Sequence, residues 1–153
     1  MANAYPILPT DISDFRVIPY DFLSNMYSSP VNIMGRTFEC AESAFQSHKV
    51  TTDAEIAQFV GLNGYEAKRL GRKVTLRYDW PTVKLAVMRE VIAAKFLPGT
   101  ELTYKLLNTG NKRLVEGNTW NDVYWGVCNG KGQNWLGKIL MERRTYLLGV
   151  AHG

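Results

Sequence analysis

Apolar residues recur along this chain mainly at helical spacing. In Phe38-Glu39-Cys40-Ala41-Glu42-Ser43-Ala44-Phe45-Gln46-Ser47-His48-Lys49, the residues Ala41, Ala44, Phe45 and His48 fall at i, i+3, i+4 and i+7, which predicts a helix with one apolar arc. Glu42, Gln46 and Lys49 form a separate polar stripe on it. Thr52-Asp53-Ala54-Glu55 reads as a capping box for a second helix with Ile56, Phe59 and Val60 inward, ended by Gly61 and Asn63-Gly64. Tyr65 to Arg72 predicts a short basic helix. Trp80-Pro81 opens the longest, with Trp80, Val83, Val87, Val91 and Ala94 on one face, before Pro98-Gly99 stops it. Thr100 caps a short helix packed through Leu102, Leu106 and Leu107. The last helix runs from about Asn134 to Leu148, with Leu136, Ile139, Leu140 and Leu147 inward. Strand signals are short: Phe15 to Tyr20, limited by Pro19 to an edge; a hairpin of Val31–Ile33 and Arg36–Cys40 turning at Met34-Gly35; and Arg113 to Glu116. The predicted fold class is a mostly helical α+β domain with a few short strands.

Composition narrows this picture without changing it. A chain of 153 residues, 46% hydrophobic and 21% charged, is a single domain able to bury a core without staples. The net charge of +4 suits a phosphate-bearing partner but is far from the basic stripe of a dedicated nucleic-acid binder. The densest basic run, Lys68-Arg69-Gly71-Arg72-Lys73, is either a phosphate contact or a solvated face. Cys40 and Cys128 lie far apart, and His48 and His152 are the only imidazoles. These spacings exclude a disulfide framework and a zinc site, and the expected setting is reducing and cytoplasmic. Met1 to Asp11 shows no signal peptide, and no apolar segment is long enough for a membrane span. Neither a metal nor a cofactor is expected.

Three stretches could carry chemistry. Glu42 and Lys49 lie two helical turns apart, about 10 Å along the axis, so their long side chains can converge on one small ligand between them. A solvated face favoured by the helix dipole is the alternative. Glu116-Gly117-Asn118-Thr119-Trp120-Asn121-Asp122-Val123-Tyr124-Trp125-Gly126 mixes Asn, Asp and Trp with few aliphatics; Asp122 is either a site acid or a turn former. Gly126 to Asn134 places glycines, Gly132 among them, before a helix, as either a phosphate cradle or a turn. Asp21 to Tyr27 sets Ser24 and Asn25 among large rings, where they cap turns or wall a pocket. No GxSxG elbow, P-loop or dinucleotide fingerprint occurs, which leaves carboxylate and lysine chemistry.

Taken together, three blocks carry a resemblance. Phe22-Leu23-Ser24-Asn25-Met26-Tyr27 is the first, and Glu42 through Lys49, as E-x-x-F-Q-x-x-K, is the second. The third runs from Asn121-Asp122-Val123-Tyr124-Trp125-Gly126 through Gly130-Lys131-Gly132-Gln133-Asn134-Trp135-Leu136-Gly137 to Leu140-Met141-Glu142-Arg143-Arg144. In order and spacing they resemble the NADAR family over roughly residues 15 to 148, and Trp80-Pro81 fits as well. The resemblance implies one mostly helical domain over 1–153, with its core at about 15–148, that cleaves an N-glycosidic bond at ribose C1. It implies as substrate either a phosphoribosylamino-pyrimidine intermediate of riboflavin synthesis or ADP-ribose on guanine in nucleic acid. Glu42, Lys49 and Asp122 match catalytic positions. Ser24, Asn25, Gln46, Trp80, Trp125, Gly132 and Asn134 are the implied substrate contacts, with Trp80 or Trp125 stacking on the base and the Gly130–Asn134 loop holding phosphate. Ser43 departs from the family, where His often follows the glutamate. The rival readings are a module that binds ADP-ribose or nucleotide without cutting it, and a partner-binding domain with a solvated stripe.

Overall fold

The turn at Met34-Gly35 sets the register of the first strands. Both residues have positive φ, 51° and 77°, as in the two-residue hairpin loop whose twist matches the strands it joins. Strand β1 (Val31–Ile33) pairs antiparallel with β2 (Arg36–Phe38), with Val31 opposite Phe38. The structure, a computed structural model, describes residues 3–152, and only the backbone of His152, so that imidazole lies outside what is described. The chain forms two compact units, Asn25–Lys95 on the one hand and Met1–Ser24 with Phe96–Gly153 on the other.

In the unit Asn25–Lys95, Cys40 leads the chain from β2 into α1 (Ala41–Ser47), followed by α2 (Asp53–Ala57), α3 (Gly64–Gly71) and α4 (Trp80–Lys95). Helix α1 is the hub: the hairpin, α2, α3 and α4 all pack on it, and Ala41, Ala44 and Phe45 are buried there. Asn63 and Glu66 form a reciprocal capping box that starts α3, satisfying two helix-end donors. Gly64, Ala67 and Gly71 form the buried side of α3. A Cβ on Gly64 would lie 3.4 Å from Glu42 Cβ, and one on Gly71 would lie 1.9 Å from Gln46 Oε1. The two glycines therefore let the α3 backbone lie directly against α1. Along α4 the buried arc is Trp80, Val87, Met88, Val91, Ile92 and Lys95. This differs from the predicted face: Met88 and Ile92 are inward, while Val83 and Ala94 are half-buried. Val60, expected inward, is exposed because α2 ends at Ala57, before reaching it.

The other unit contains a short 3-10 turn (Asp21–Leu23), helices α5 (Glu101–Leu107) and α6 (Trp135–His152), and the hairpin of β3 (Val127–Cys128) and β4 (Lys131–Gly132). Helix α5 is capped by Thr100 and packs on α6 through a core holding Leu106, Ile139, Leu140 and Leu147. The start of the chain is tied in by Arg113, whose guanidinium donates to Asp11 at 2.6 Å.

Two predicted strands are corrected. Phe15 to Tyr20 is a run of turns: Phe15 is buried but Val17, which would share its face in a strand, is exposed. Locally, the Asp14 carboxylate bonds the Arg16 N–H and guanidinium, and Tyr20 N–H donates to the Val17 carbonyl. Arg113 to Glu116 reduces to one parallel bridge, Leu114 with Ile12. Helix α1 is shorter than its apolar pattern, since strand pairing takes Arg36–Phe38 and His48 is already the C-cap. The whole is nonetheless mostly helical α+β, and no described helix is long and apolar enough to cross a membrane.

Candidate active site

Of the polar stripe predicted here, Glu42 and Gln46 lie on α1 and are bonded to each other. Gln46 Nε2 donates to Glu42 Oε2 at 2.7 Å across one helical turn. This bond fixes the carboxylate and turns the amide, so that Gln46 Oε1 lies against Gly71. Gln46 is buried, and its Oε1 accepts no hydrogen bond among the described residues. Such an acceptor is costly to leave unmade, by about 1–3 kcal/mol, which marks it as a place where another donor fits. Lys49 lies just past the C-cap and comes back to the same place. Its Nζ is 3.4 Å from the Cβ position of Gly71 and 6.0 Å from the centroid of the Trp80 ring.

Burial is the main influence on that amine and pushes its pKa below the ordinary lysine value. Glu42 opposes the shift, while the charges of Arg72, Lys68 and Lys84 reinforce it. A larger neutral fraction makes an amine a better nucleophile. Trp80 is buried and tilted against Phe45 at 5.2 Å between centroids. It serves as a wall for Lys49 more than as an open stacking surface. Asn25 contributes its backbone carbonyl, which accepts from the Glu42 N–H at 2.9 Å and so anchors the start of α1. Its side chain is buried, with Nδ2 on Met88 Sδ at 3.4 Å.

The remaining predicted residues belong to the other unit. Ser24 closes the 3-10 turn through its backbone N–H. Asp122 is half-buried, and its Oδ1 accepts from the N–H groups of Tyr124 and Trp125 at 3.2 and 2.9 Å, the geometry of a turn former. Asn118 braces the same loop, accepting from Asp122 N–H and donating to its carbonyl. Trp125 is half-buried and edge-on to Tyr124 at 4.8 Å.

The stretch Gly130–Asn134, expected to hold phosphate, folds as the end of a hairpin and the entry to α6. Asn129 and Gly130 have φ of 52° and 72° and form the two-residue turn of the β3–β4 hairpin. The N–H groups entering α6 are bonded internally: Gly132 to Asn3, Gln133 to Val123, Asn134 to Gly126 and Trp135 to Tyr124. Gly132 is a close-approach glycine, since a Cβ there would lie 2.2 Å from the Gly126 carbonyl oxygen. Asn134 is fully buried; its Oδ1 accepts from Glu116 N–H, and its Nδ2 donates to the Leu114 carbonyl and the Tyr5 hydroxyl. The Asn134 side chain therefore has its hydrogen bonds within the protein.

The sequence reading missed Gly64 and Gly71, which let α3 form the second wall of the site. The signal was present: two glycines seven residues apart in a helix share a face, at the same two-turn interval that separates Glu42 from Lys49.

Fold and site together define a helical α+β domain carrying a carboxylate and an amide on one short helix and a part-buried amine just past its end. Residues 14–148 match the NADAR domain family, and the chain belongs to it. It is 38% identical over 132 residues to the N-glycosidase YbiA of Escherichia coli strain K12, covering 84% of this chain and 82% of that one. An N-glycosidase of Nostoc punctiforme is 37% identical over 133 residues, covering 82% and 85%. A riboflavin biosynthesis protein of Vibrio vulnificus is 33% identical over 133 residues, covering 84% of this chain but 36% of that one. The NMR structure of E. coli YbiA superposes with a TM-score of 0.80 at 34% identity, covering 94% of this chain and 88% of that one.

Proposed function

We propose that this protein is an N-glycosidase that hydrolyses the bond between a base nitrogen and ribose C1 at the Glu42–Gln46–Lys49 stripe. The observation that carries the reading is the half-buried Lys49 amine, its pKa lowered, just past the end of the helix that bears a carboxylate held by Gln46. Two close relatives named as N-glycosidases support it. In the proposed reaction, neutral Lys49 attacks C1, the C1–N bond breaks and the base leaves with a proton. Ring opening then gives an imine between C1 and Nζ, and water adds to release the sugar and restore the amine. Glu42 stabilises the positive charge that builds on the sugar and accepts the proton from that water.

The substrate we favour is a phosphoribosylamino-pyrimidine intermediate of riboflavin synthesis, and the V. vulnificus relative named as a riboflavin biosynthesis protein supports that pathway. ADP-ribosylated guanine presents the same kind of bond and is the second arm of the assay. A cytoplasmic setting fits the two free cysteines, Cys40 and Cys128. General acid–base help is worth about 10²–10⁴-fold, so Glu42→Gln should lower kcat by at least about two decades while the melting temperature hardly moves. Near-normal turnover in that variant contradicts the assignment. Tight ADP-ribose binding without turnover by the wild type would replace it with a binding module.

A further inference from the structure

In the hairpin that the sequence offered for phosphate, the N–H groups of Gly132, Gln133 and Asn134 are bonded to backbone carbonyls, which turns attention to the other basic stretch of the chain. We propose that the basic flank of α3, Lys68 with Arg72, binds the phosphate carried on the sugar of the substrate. This rests on the glycosidase reading above and extends it.

The line Gly64–Gly71 on α3 faces α1. At 100° per residue, Lys68 and Arg72 fall on one flank of that line, one turn apart and within about a quarter-turn of it. The Lys49 amine arrives at the same end, 3.4 Å from the Cβ position of Gly71. Cations from α1 and α3 thus gather beside the stripe. Four arginines elsewhere pair with acids, Arg16–Asp14, Arg36–Asp53, Arg77–Asp79 and Arg113–Asp11, and Arg143 and Arg144 are bonded to the Phe96 carbonyl and the Thr109 hydroxyl. Neither Lys68 nor Arg72 forms an ion pair with a described residue. Both charges act on Lys49 and disfavour its protonation, against the larger attraction of Glu42, which sets them close to the stripe. The helix dipole alone does not account for it: a cation in the last turn is favoured by about 0.3–1 kcal/mol on any side of the helix, and Arg69, exposed on the far flank, already supplies one.

The test compares the full chain with Lys68→Gln/Arg72→Gln and, as a control, Arg69→Gln. Each is assayed on a ribosylamino-pyrimidine 5′-phosphate and on its dephosphorylated form. Loss of two charge-assisted hydrogen bonds should raise KM for the phosphorylated substrate about 10- to 100-fold in the double variant. Its KM for the dephosphorylated substrate and both parameters of the Arg69 variant should stay near wild type, while its kcat falls by the same factor on both substrates, because losing two like charges lets Lys49 protonate more readily. An equal rise in KM for both substrates, or no rise in either, overturns the phosphate site while leaving the glycosidase reading intact. If the wild type cleaves neither substrate, the glycosidase reading fails, and titration with inorganic phosphate and with ADP-ribose still decides the site. Weaker binding in the double variant supports it; unchanged binding overturns it.

Discussion

The stripe on α1 and the junction around Asn134 are built from similar residues and reach opposite states. Both combine amides, carboxylates and close-approach glycines. At Asn134, every polar atom of the side chain is bonded to protein: Oδ1 to Glu116 N–H, Nδ2 to the Leu114 carbonyl and the Tyr5 hydroxyl. On α1, Gln46 holds Glu42 with one end of its amide, and its other end accepts nothing among the described residues. Lys49 beside it is held partly out of water, near like charges. A polar cluster closed on itself is a structural clip. One left open, with a strained charge balance, is where a ligand's groups fit.

Breaking each cluster should therefore have opposite consequences. Asn134→Ala exposes the difference most strongly. It leaves a buried N–H and a buried carbonyl unpaired and places alanine at φ 53°, at a cost of about 3–5 kcal/mol in stability. Thermal or urea unfolding should show that loss, with kcat per folded molecule near wild type below the transition. A stable variant that has lost turnover would move Asn134 into the chemistry.

Gly71→Ala should have the next largest effect, in the opposite sense. The new methyl would occupy the place of Gln46 Oε1, at 1.9 Å, and crowd Lys49 Nζ. Displacing the amide and amine should cut kcat about tenfold, or about 1.4 kcal/mol of barrier. Unfolding should shift by less, since the obstructing atom ends a side chain that can move. Unchanged kcat would show that α3 does not shape the site.

The smallest effect is a pH dependence. Because the folded state lowers the Lys49 pKa below the usual 10.5, the unfolded chain holds more protons between the two values, and stability rises with pH across that window. Below it the penalty is fully present; above it, it is gone. Lys49→Met should therefore melt at the same or a higher temperature than wild type at pH 7, and lose that advantage as pH approaches 10. A variant less stable at neutral pH, with the gap closing as pH rises, has the wrong sign.

Much of this was legible in the chain itself. The apolar spacing located α1, α4, α5 and α6, and the Met34-Gly35 turn and the caps at Thr52 and Thr100 mark real boundaries, because they rest on interactions a few residues apart. The E-x-x-F-Q-x-x-K spacing put Glu42 and Gln46 one turn apart, and they are bonded. The misreadings have the converse cause. Phe15 to Tyr20 had a strand's composition, yet no partner strand pairs with it. Asn129-Gly130 is a strong hairpin signal, but the glycine count around it suggested a phosphate loop; which N–H groups stay open depends on where Val123 to Gly126 returns. The α3 wall was missed for the same reason, since a glycine shows its close contact only once the facing helix is in place.

The central claim is that the sugar carbon reacts at the Lys49 amine. Turnover on a phosphoribosylamino-pyrimidine in the presence of borohydride, followed by peptide mass spectrometry, tests it most directly. The account predicts a reduced sugar-phosphate adduct on the peptide carrying Lys49, absent in Lys49→Arg. Full turnover with no adduct on that peptide, or an adduct on a different lysine, would contradict it.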